Sequence, residues 1–479
     1  MRETRVVIFT KYLCVSRNNI SGKSCAENYI STLKKEDRID TISMKTRYFL
    51  LLLLVGGILG SCNTTDRGEV LGVRSNPFRS ELPAGMVYIP GGSFLMGQTD
   101  QDVTFAQIAQ TKQVTVSPFF MDQTETTNSQ YHQFINWVRD SIAITNYLND
   151  DKYYVKPRNP NATSRKYINW EYVKKNPIWR SSGKGKAQTS NAGKLDGMYY
   201  QGDDRVFDRN EVDVRQLKYN YAAMQLRTAS DQRFDKNKKR SDFIYRDTVP
   251  VYPDTLVWLN DFSYAANEPM VEGYFSHPSF QNYPVVGVTW RQARAYSIWR
   301  SRYNDAYKDK LNQPHRLPYS LPTEAEFEYA ARGGRIGTDY PWGGPYIKNA
   351  KGCLLANFKP GRGNYTDDGG AYTVNVRSYF PNDYGLFNMA GNVSEWTLSA
   401  FDESASTFVH DMSPTFNYDA KATDPEVLKR KVVRGGSWKD IGYFLQNSTR
   451  GYEFQDTAKS YIGFRLVSHF VGRDFRDRR

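Results

Sequence analysis

Residues 385–397 read GLFNMAGNVSEWT and hold the pattern Asn-x-x-Gly-Asn-x-x-Glu-Trp. Other short motifs stand on either side of this stretch. They occupy residues 85–97, 125–128, 284–290, 321–334, 434–438 and 463–466. The elements at both ends of this span are short and need one another to bury a core, so the motifs indicate one large domain.

Together the motifs resemble the formylglycine-generating-enzyme family, also called sulfatase-modifying factors. This resemblance implies an α+β, C-type-lectin-like fold with little regular secondary structure. We assign the domain to residues 83–470 and a long basic insertion to residues 145–265 approximately. The composition, with 39% hydrophobic and 14% aromatic residues, excludes a disordered chain.

The N-terminal part carries a pattern typical of export signals. A run of 12 mostly apolar residues, 48–59, follows two basic residues and is too short for the roughly 20 residues that span a bilayer. It ends in Leu-Gly-Ser-Cys, which resembles the lipobox of bacterial lipoproteins and makes Cys62 the predicted lipidation site. The alternative is a buried helix with a chance cysteine. We assign the segments as a non-native upstream extension (1–43), a signal peptide (44–61) and a tether (62–82).

Local patterns predict a few regular elements. Strands are expected at residues 86–89, 94–96 and 114–121. Three helices are expected: one from Thr127 and Asn128, one after Thr289, and one with a capping box at residues 323–326 that ends at Gly333 and Gly334.

The positive charge of the chain is concentrated in the insertion. Residues 151–250 hold 22 Lys and Arg against 12 Asp and Glu, a net charge of +10 in a chain of net charge +13. We expect this segment to contact a protein or lipid headgroups rather than nucleic acid, with a merely solvated insertion as the alternative. The predicted partner-binding residues are Arg233, Lys236, Lys238, Lys239 and Arg240. The aromatic residues Tyr167, Trp170, Tyr172, Trp179, Tyr199 and Tyr200 are expected to anchor the contact.

The resemblance also implies a catalytic expectation. Enzymes of the family carry two cysteines after a Gly-Gly-Ser motif, where the thiolates bind copper(I), which prefers sulfur. In this chain the matching positions are Asp440 and Leu445. Cys353 cannot replace the pair and is expected to be a small buried residue. We therefore expect no copper, no catalytic residues and a pseudoenzyme, with a residual enzyme as the alternative.

Structural calcium is implied by the same resemblance, because oxygen-rich sites suit this ion. One set maps onto Asn388, Gly391, Val393 and Glu395. A second set maps onto Asn357, Phe358 and Asp368, where Gly370 replaces the usual aromatic residue. The alternative is that these side chains only hold their loops by hydrogen bonds.

Within the family, residues 101–103, 121–125, 134–140 and 260–270 resemble the gliding-motility and type IX secretion lipoproteins of the GldK/PorK type. This implies a lipid-anchored scaffold on the periplasmic face of the outer membrane. Such a scaffold would form a homo-oligomeric ring with a GldN/PorN-type protein and contact an outer-membrane protein and other secretion components. A lipid-anchored lectin-like glycan-binding module and a GldJ-type sister lipoprotein are the alternatives.

Overall fold

The computed structural model describes residues 81–97, 111–156, 166–179 and 192–472, which belong to one unit, Phe78–Arg479. Cys62, the signal peptide, the upstream extension and residues 101–103 lie outside the described residues. No helix in the described ranges is long and apolar enough to cross a bilayer.

The first sheet forms around a buried central strand. Its strands follow the order β1 (Met86–Ile89), β4 (Phe119–Asp122), β12 (Val467–His469) and β7 (Tyr319–Ser320), all antiparallel. A separate two-stranded sheet pairs β2 (Gly92–Met96) with β3 (Lys112–Val116).

The single strand predicted over residues 114–121 is wrong, because two strands cover this stretch. β3 ends at Val116 and β4 begins at Phe119, so the chain changes sheets across Ser117 and Pro118. Pro118 has no amide hydrogen to donate to a ladder, which explains the break. The predictions for residues 86–89 and 94–96 are confirmed by β1 and β2.

The second sheet carries the 385–397 stretch. Its order is β10 (Gly451–Phe454), β9 (Arg430–Arg434), β8 (Ser394–Ala400) and β11 (Ile462–Gly463). β11 runs parallel to β8 and pairs with it at Ser394 and Glu395. The last four residues of the stretch, 394–397, therefore lie in a strand, while the preceding residues form the loop itself.

The three predicted helices are confirmed. α1 (Asn128–Ile142), α7 (Trp290–Lys310) and α8 (Glu324–Arg332) each begin with a capping box on a threonine. α8 ends at Gly333, whose φ of 62° is a left-handed conformation that glycine adopts without strain. α1 buries Tyr131 and Phe134 against Tyr296 and Trp299 of α7, in the larger hydrophobic core.

The other helices are short. The described chain has α2 (Trp170–Lys175), α3 (Ala192–Leu195), α4 (Leu226–Asp231), α5 (Val257–Asn260), α6 (Glu268–Gly273) and α9 (Ala405–Phe408). α1 continues into a π-helical segment, Ala143–Leu148. Single 3₁₀ turns occupy Asp151–Tyr153, Asp196–Met198, Gly202–Asp204, Val214–Gln216, Arg240–Phe243, Pro278–Phe280, Glu426–Lys429 and Gly442–Leu445.

The insertion has a core of its own and a hairpin that joins it to the main core. Ile144, Leu148, Val173 and Met198 form a separate buried cluster with their neighbours. The strands β5 (Lys218–Met224) and β6 (Ile244–Pro250) pair in antiparallel register. The inward side chains of this hairpin pack into the larger core, and these include Tyr219, Tyr221 and Val249.

Candidate functional site

The 385–397 loop turns sharply between the two sheets. Asn388, Gly391 and Asn392 have φ values of 49°, 82° and 67°, in the left-handed region. A Cβ on Gly391 would lie 2.5 Å from the carbonyl oxygen of Asn357. The amide of Asn392 donates to that same oxygen at 2.8 Å. Only glycine permits this close approach of the two loops, so the motif fixes residue 391 for steric reasons.

A buried ion pair between Arg465 and Glu395 holds the two ends of the loop together. Arg465 donates from Nε to both carboxylate oxygens of Glu395 at 2.7 and 2.9 Å, and from Nη2 to Oε1 at 2.6 Å. Arg465 also donates to the carbonyl oxygen of Phe387 at 2.9 Å. Both charged side chains are fully buried. The pair therefore joins the 463–466 motif to both ends of the loop.

A second buried carboxyl group, Glu125, lies against the same loop. It accepts hydrogen bonds from the side-chain amides of Asn388 and Asn392, at 3.1 and 2.9 Å. Burial raises the pKa of Glu125 to about 8, although nearby Arg465 opposes this rise. Burial likewise raises the pKa of Glu395, against the attraction of Arg465. Since one guanidinium faces two carboxyl groups, the partner that hydrogen-bonds it, Glu395, is the one that stays charged.

In the first predicted calcium set, the side chains of Asn388 and Glu395 are already engaged in hydrogen bonds. Both oxygens of Glu395 accept from Arg465, whose positive charge disfavours a cation beside it. Asn388 donates to Glu125 and to the carbonyl oxygen of Val376 at 3.2 Å. Val393 packs in an aromatic cluster beside Trp438. Among the described residues no group of three or more His, Cys, Asp and Glu is arranged to hold a metal. This arrangement matches the hydrogen-bonding alternative.

The second predicted set leaves one oxygen free. Asn357 donates to the carbonyl oxygen of Tyr372 at 2.9 Å, but its buried Oδ1 has no hydrogen-bond partner. Asp368 accepts from the amides of Phe358 and Gly370 at 2.6 and 3.1 Å. Burial raises the pKa of Asp368. Calcium binds amide and carboxylate oxygens, and this set keeps an unpaired buried amide oxygen without a cation at its carboxylate, so it fits the ion better than the first.

Gly370 departs from the family pattern for a visible steric reason. A Cβ at this position would lie 2.5 Å from Cγ1 of Val374 and 3.2 Å from Oδ1 of Asn357. An aromatic side chain therefore does not fit the loop as it is built here. Its backbone amide still binds Asp368.

The two positions after the Gly-Gly-Ser motif have structural contacts. Oδ2 of Asp440 accepts from the amide and the hydroxyl of Ser437 at 3.0 and 2.6 Å. Leu445 is fully buried in a cluster with Tyr340 and Phe358. The expectation that Cys353 is buried is wrong, because its thiol is exposed in a turn between Gly352 and Leu354.

The predicted partner-binding residues lie on the connection between β5 and β6. Arg233, Lys236, Lys238, Lys239 and Arg240 are exposed, and none of them forms an ion pair with an acidic residue in the described ranges. The predicted aromatic anchors mostly serve the fold instead. Tyr167 is exposed, but Trp170, Tyr172, Trp179 and Tyr199 are half-buried against the core of the insertion.

Sequence reasoning missed several charged residues that the motifs bury. Arg434 binds Glu324 and Glu328 at 2.6 and 3.0 Å, and Arg450 contacts Glu324 at 2.5 Å. Glu125 and Arg465 also lie in motifs, and no buried partner was predicted for either of them. The available signal was the type of residue: charged side chains inside motifs that are otherwise apolar need buried partners.

Comparison with known proteins agrees with this architecture. The sulfatase-modifying factor enzyme 1-like domain family matches residues 74–470, most of the chain. The chain belongs to this family. The α+β fold with low regular secondary structure, expected from the motifs, is confirmed. A solved structure of PvdO from Pseudomonas aeruginosa matches with a TM-score of 0.41 and 18% identity, over 80% of this chain and 94% of that one.

Curated relatives include both enzymes and inactive proteins. An inactive Cα-formylglycine-generating enzyme 2 of Bos taurus is 33% identical over 39% of this chain and 50% of its own length. A formylglycine-generating enzyme of Streptomyces coelicolor is 32% identical over 39% and 53%. That of Mus musculus is 33% identical over 39% and 44%. The chain thus spans about half the length of the curated relatives it matches.

These relatives correct one expectation. The prediction that this chain is a pseudoenzyme is wrong, because relatives matched at 32–33% identity carry the names of formylglycine-generating enzymes. Proteins named inactive match at the same level, so the family also holds catalytically inactive members. The residues at positions 440 and 445 do not by themselves decide activity.

Proposed function

We propose that this chain is a lipoprotein, anchored through Cys62 to the periplasmic face of the outer membrane. Its role is that of a scaffold, which forms a homo-oligomeric ring with a GldN/PorN-type partner in type IX secretion and gliding motility. An outer-membrane protein and other secretion components are further contacts. The support from sequence is the lipobox and the resemblance of the 121–125, 134–140 and 260–270 segments.

The observation that carries the proposal is the tip of the β5–β6 hairpin, residues 226–242. All residues from Asp231 to Asp242 are exposed, and the basic side chains there have no acidic partner in the described part of the chain. Two large apolar residues are also open to solvent, Leu226 at 70% and Phe234 at 81% exposure. Arg233 lies over the ring of Phe234 at 4.4 Å, so charge and apolar surface occur together at the tip, as they do in protein-binding surfaces.

The strands that carry this tip are bound to α7. Arg291 of α7 binds the carboxylate of Asp247 on β6 at 2.5 Å. Arg302 of α7 donates to the carbonyl oxygen of Ala222 on β5 at 3.0 Å. Because α7 belongs to the main core, these contacts attach the strands on either side of the tip to the core of the domain. A docking surface placed in this way loses little conformational entropy on binding.

The test compares two triple variants of the tagged chain in its native host. Lys236→Glu, Lys238→Glu and Lys239→Glu reverse the charge of the tip. Lys348→Glu, Lys351→Glu and Arg362→Glu make the same change of charge at exposed positions outside the insertion. The tip variant should lose at least tenfold of the ring partner on copurification from outer membranes, and the control should retain it. Equal retention by both variants would show that the contact lies elsewhere.

Structural calcium remains part of this proposal, at Asn357 and Asp368 with the carbonyl oxygen of Phe358. Oδ1 of Asn357 is the oxygen free to coordinate the ion. Calcium would also balance the negative charge of Asp368 in a loop of little regular structure. There it would hold the 357–370 segment against the 385–397 loop. The two segments are already joined by a hydrogen bond from the side-chain amide of Asn357 to Oδ1 of Asn392.

A further inference from the structure

An open groove of about 600 Å³ lies between α1, α2 and α7. Its volume is within the range of about 300–1,000 Å³ that is typical of small-ligand sites. None of its lining residues belongs to the 385–397 loop or to the hairpin tip, but two of the predicted aromatic anchors, Trp170 and Trp179, line it. Nothing in the scaffold role uses it.

One wall of the groove is a row of four aromatic rings. Trp170 of α2 stacks on Trp137 of α1, with ring centroids 5.0 Å apart and an angle of 27°. Trp137 contacts Trp299 edge to face at 6.5 Å, and Trp299 stacks on Tyr303 at 5.4 Å and 28°. Tyr303 is 58% exposed. A row of rings that is left partly open presents flat apolar faces to a ligand.

Polar side chains stand beside these rings on α1. Gln133, Asn136 and Asp140 line the groove together with Trp137, at the three- and four-residue spacing that places side chains on one helix face. Gln133 and Asn136 are exposed, and neither makes a side-chain hydrogen bond within the described ranges. The groove therefore offers unused donors and acceptors next to its aromatic wall.

The charge of the groove is nearly balanced, in contrast to the insertion around it. Arg139 pairs with Asp140 at 3.0 Å and lies over the ring of Trp179 at 4.6 Å. Lys174 is the remaining charged residue of the lining and is exposed. A polyanion such as a nucleic acid would need several free cations along its path, which this lining does not provide.

We propose that the groove binds a short, uncharged oligosaccharide of β-linked pyranose rings. Such rings present C–H groups on their faces, which pack on Trp137, Trp170 and Tyr303. Their hydroxyl groups lie at the ring edges, where they can exchange hydrogen bonds with the side-chain amides of Gln133 and Asn136. This binding activity goes beyond the scaffold role and does not depend on it.

A proline-rich peptide is the other ligand that aromatic grooves accept. An indole N–H at the groove could donate to a peptide carbonyl group, but that of Trp179 already donates to Asp140 at 2.6 Å. The N–H of Trp299 is buried. The free groups are side-chain amides, which serve as both donors and acceptors and so match hydroxyl groups. These observations favour the saccharide.

The test measures binding of chitotetraose and cellotetraose to the full chain by calorimetry. Tyr303→Ala should raise Kd at least tenfold, whereas Tyr303→Phe should keep the stacking and change Kd less than threefold. Tyr307→Ala is the matched control, because Tyr307 is equally exposed at 58%, one turn further along α7, and does not line the groove. Trp137→Phe provides a second variant that keeps an aromatic ring and should weaken binding only partly. Binding should not depend on salt, since the groove is nearly neutral.

Three results would overturn the proposal. The first is that neither oligosaccharide binds. The second is that Tyr303→Ala and Tyr307→Ala weaken binding equally. The third is that a proline-rich peptide binds with the same dependence on Tyr303, which would assign the groove to peptides.

Discussion

The guanidinium of Arg465 contacts both carboxylate oxygens of Glu395, with N···O distances of 2.6–2.9 Å, and neither side chain reaches solvent. This pair connects the strand pairing of β8 and β11 to the loop that precedes β8. Its position explains why the 385–397 and 463–466 motifs occur together. Each motif supplies one half of a buried ion pair that neither can leave uncompensated.

Removing one charge of this pair should strongly destabilise the fold. Glu395→Gln leaves Arg465 buried without a counter-charge, and we expect a loss of about 3–5 kcal/mol in the free energy of unfolding, measured with urea at neutral pH. Asp383→Asn is the control, because Asp383 pairs with Arg335 at 2.6 Å on the surface. Exposed pairs contribute about 0–1 kcal/mol. Similar losses in both variants would contradict the importance assigned to the buried pair.

The raised pKa of Glu125 predicts a specific pH dependence. Burial raises this pKa from 4.5 to about 8, so between these values the folded protein keeps a proton that the unfolded chain releases. The folded state binds more protons, and stability therefore falls as pH rises through this window. Glu125→Gln has no proton to lose and should remove this part of the fall. Unfolding measured at several pH values between 5 and 8 tests this, and parallel curves for both proteins would refute it.

Calcium binding should appear as a ligand-dependent change in melting temperature. A ligand that binds only the folded state at about 100 times its Kd adds roughly 2.7 kcal/mol. Calcium should raise Tm and EDTA should lower it, and Asp368→Asn should abolish the difference. Glu395→Gln, although less stable, should keep the difference, since Arg465 occupies the other set. A wild-type Tm that is the same in calcium and in EDTA would show that these side chains hold their loops by hydrogen bonds alone.

The anchor predicts lipid labelling at one cysteine. Cells fed with labelled palmitate should incorporate it into the wild-type chain but not into Cys62→Ser. Cys353→Ser tests specificity, because Cys353 is an exposed thiol in the body of the domain and its loss should leave labelling unchanged. Labelling that persists in Cys62→Ser would remove the basis for placing the protein on the outer membrane.

Local signals in the sequence were sufficient for the helices and for the family fold. The capping residues Thr127, Thr289 and Thr323 mark helix starts because the groups they satisfy lie within three residues. The break at Pro118 was missed because an apolar run hid the change of sheet, although the missing amide hydrogen of proline was a usable signal.

Long-range partners could not be predicted in the same way. Glu125 and Asn392 are 267 residues apart, and no local pattern places them within 2.9 Å. The aromatic residues of the insertion were interpreted as interface anchors because sequence cannot show that a segment has its own core. Cys353 was expected inside on the general behaviour of cysteine, but it lies in a segment, residues 348–353, that is exposed throughout.

The scaffold role, the central claim, is tested most directly by the mass of the native assembly. Outer membranes from cells that carry the tagged chain would be extracted in mild detergent and separated by blue-native electrophoresis. We predict that the chain migrates in a megadalton assembly with its ring partner, and that reversing the charge of Lys236, Lys238 and Lys239 shifts it to low mass. Migration of the wild-type chain as single copies, without a partner, would contradict the account.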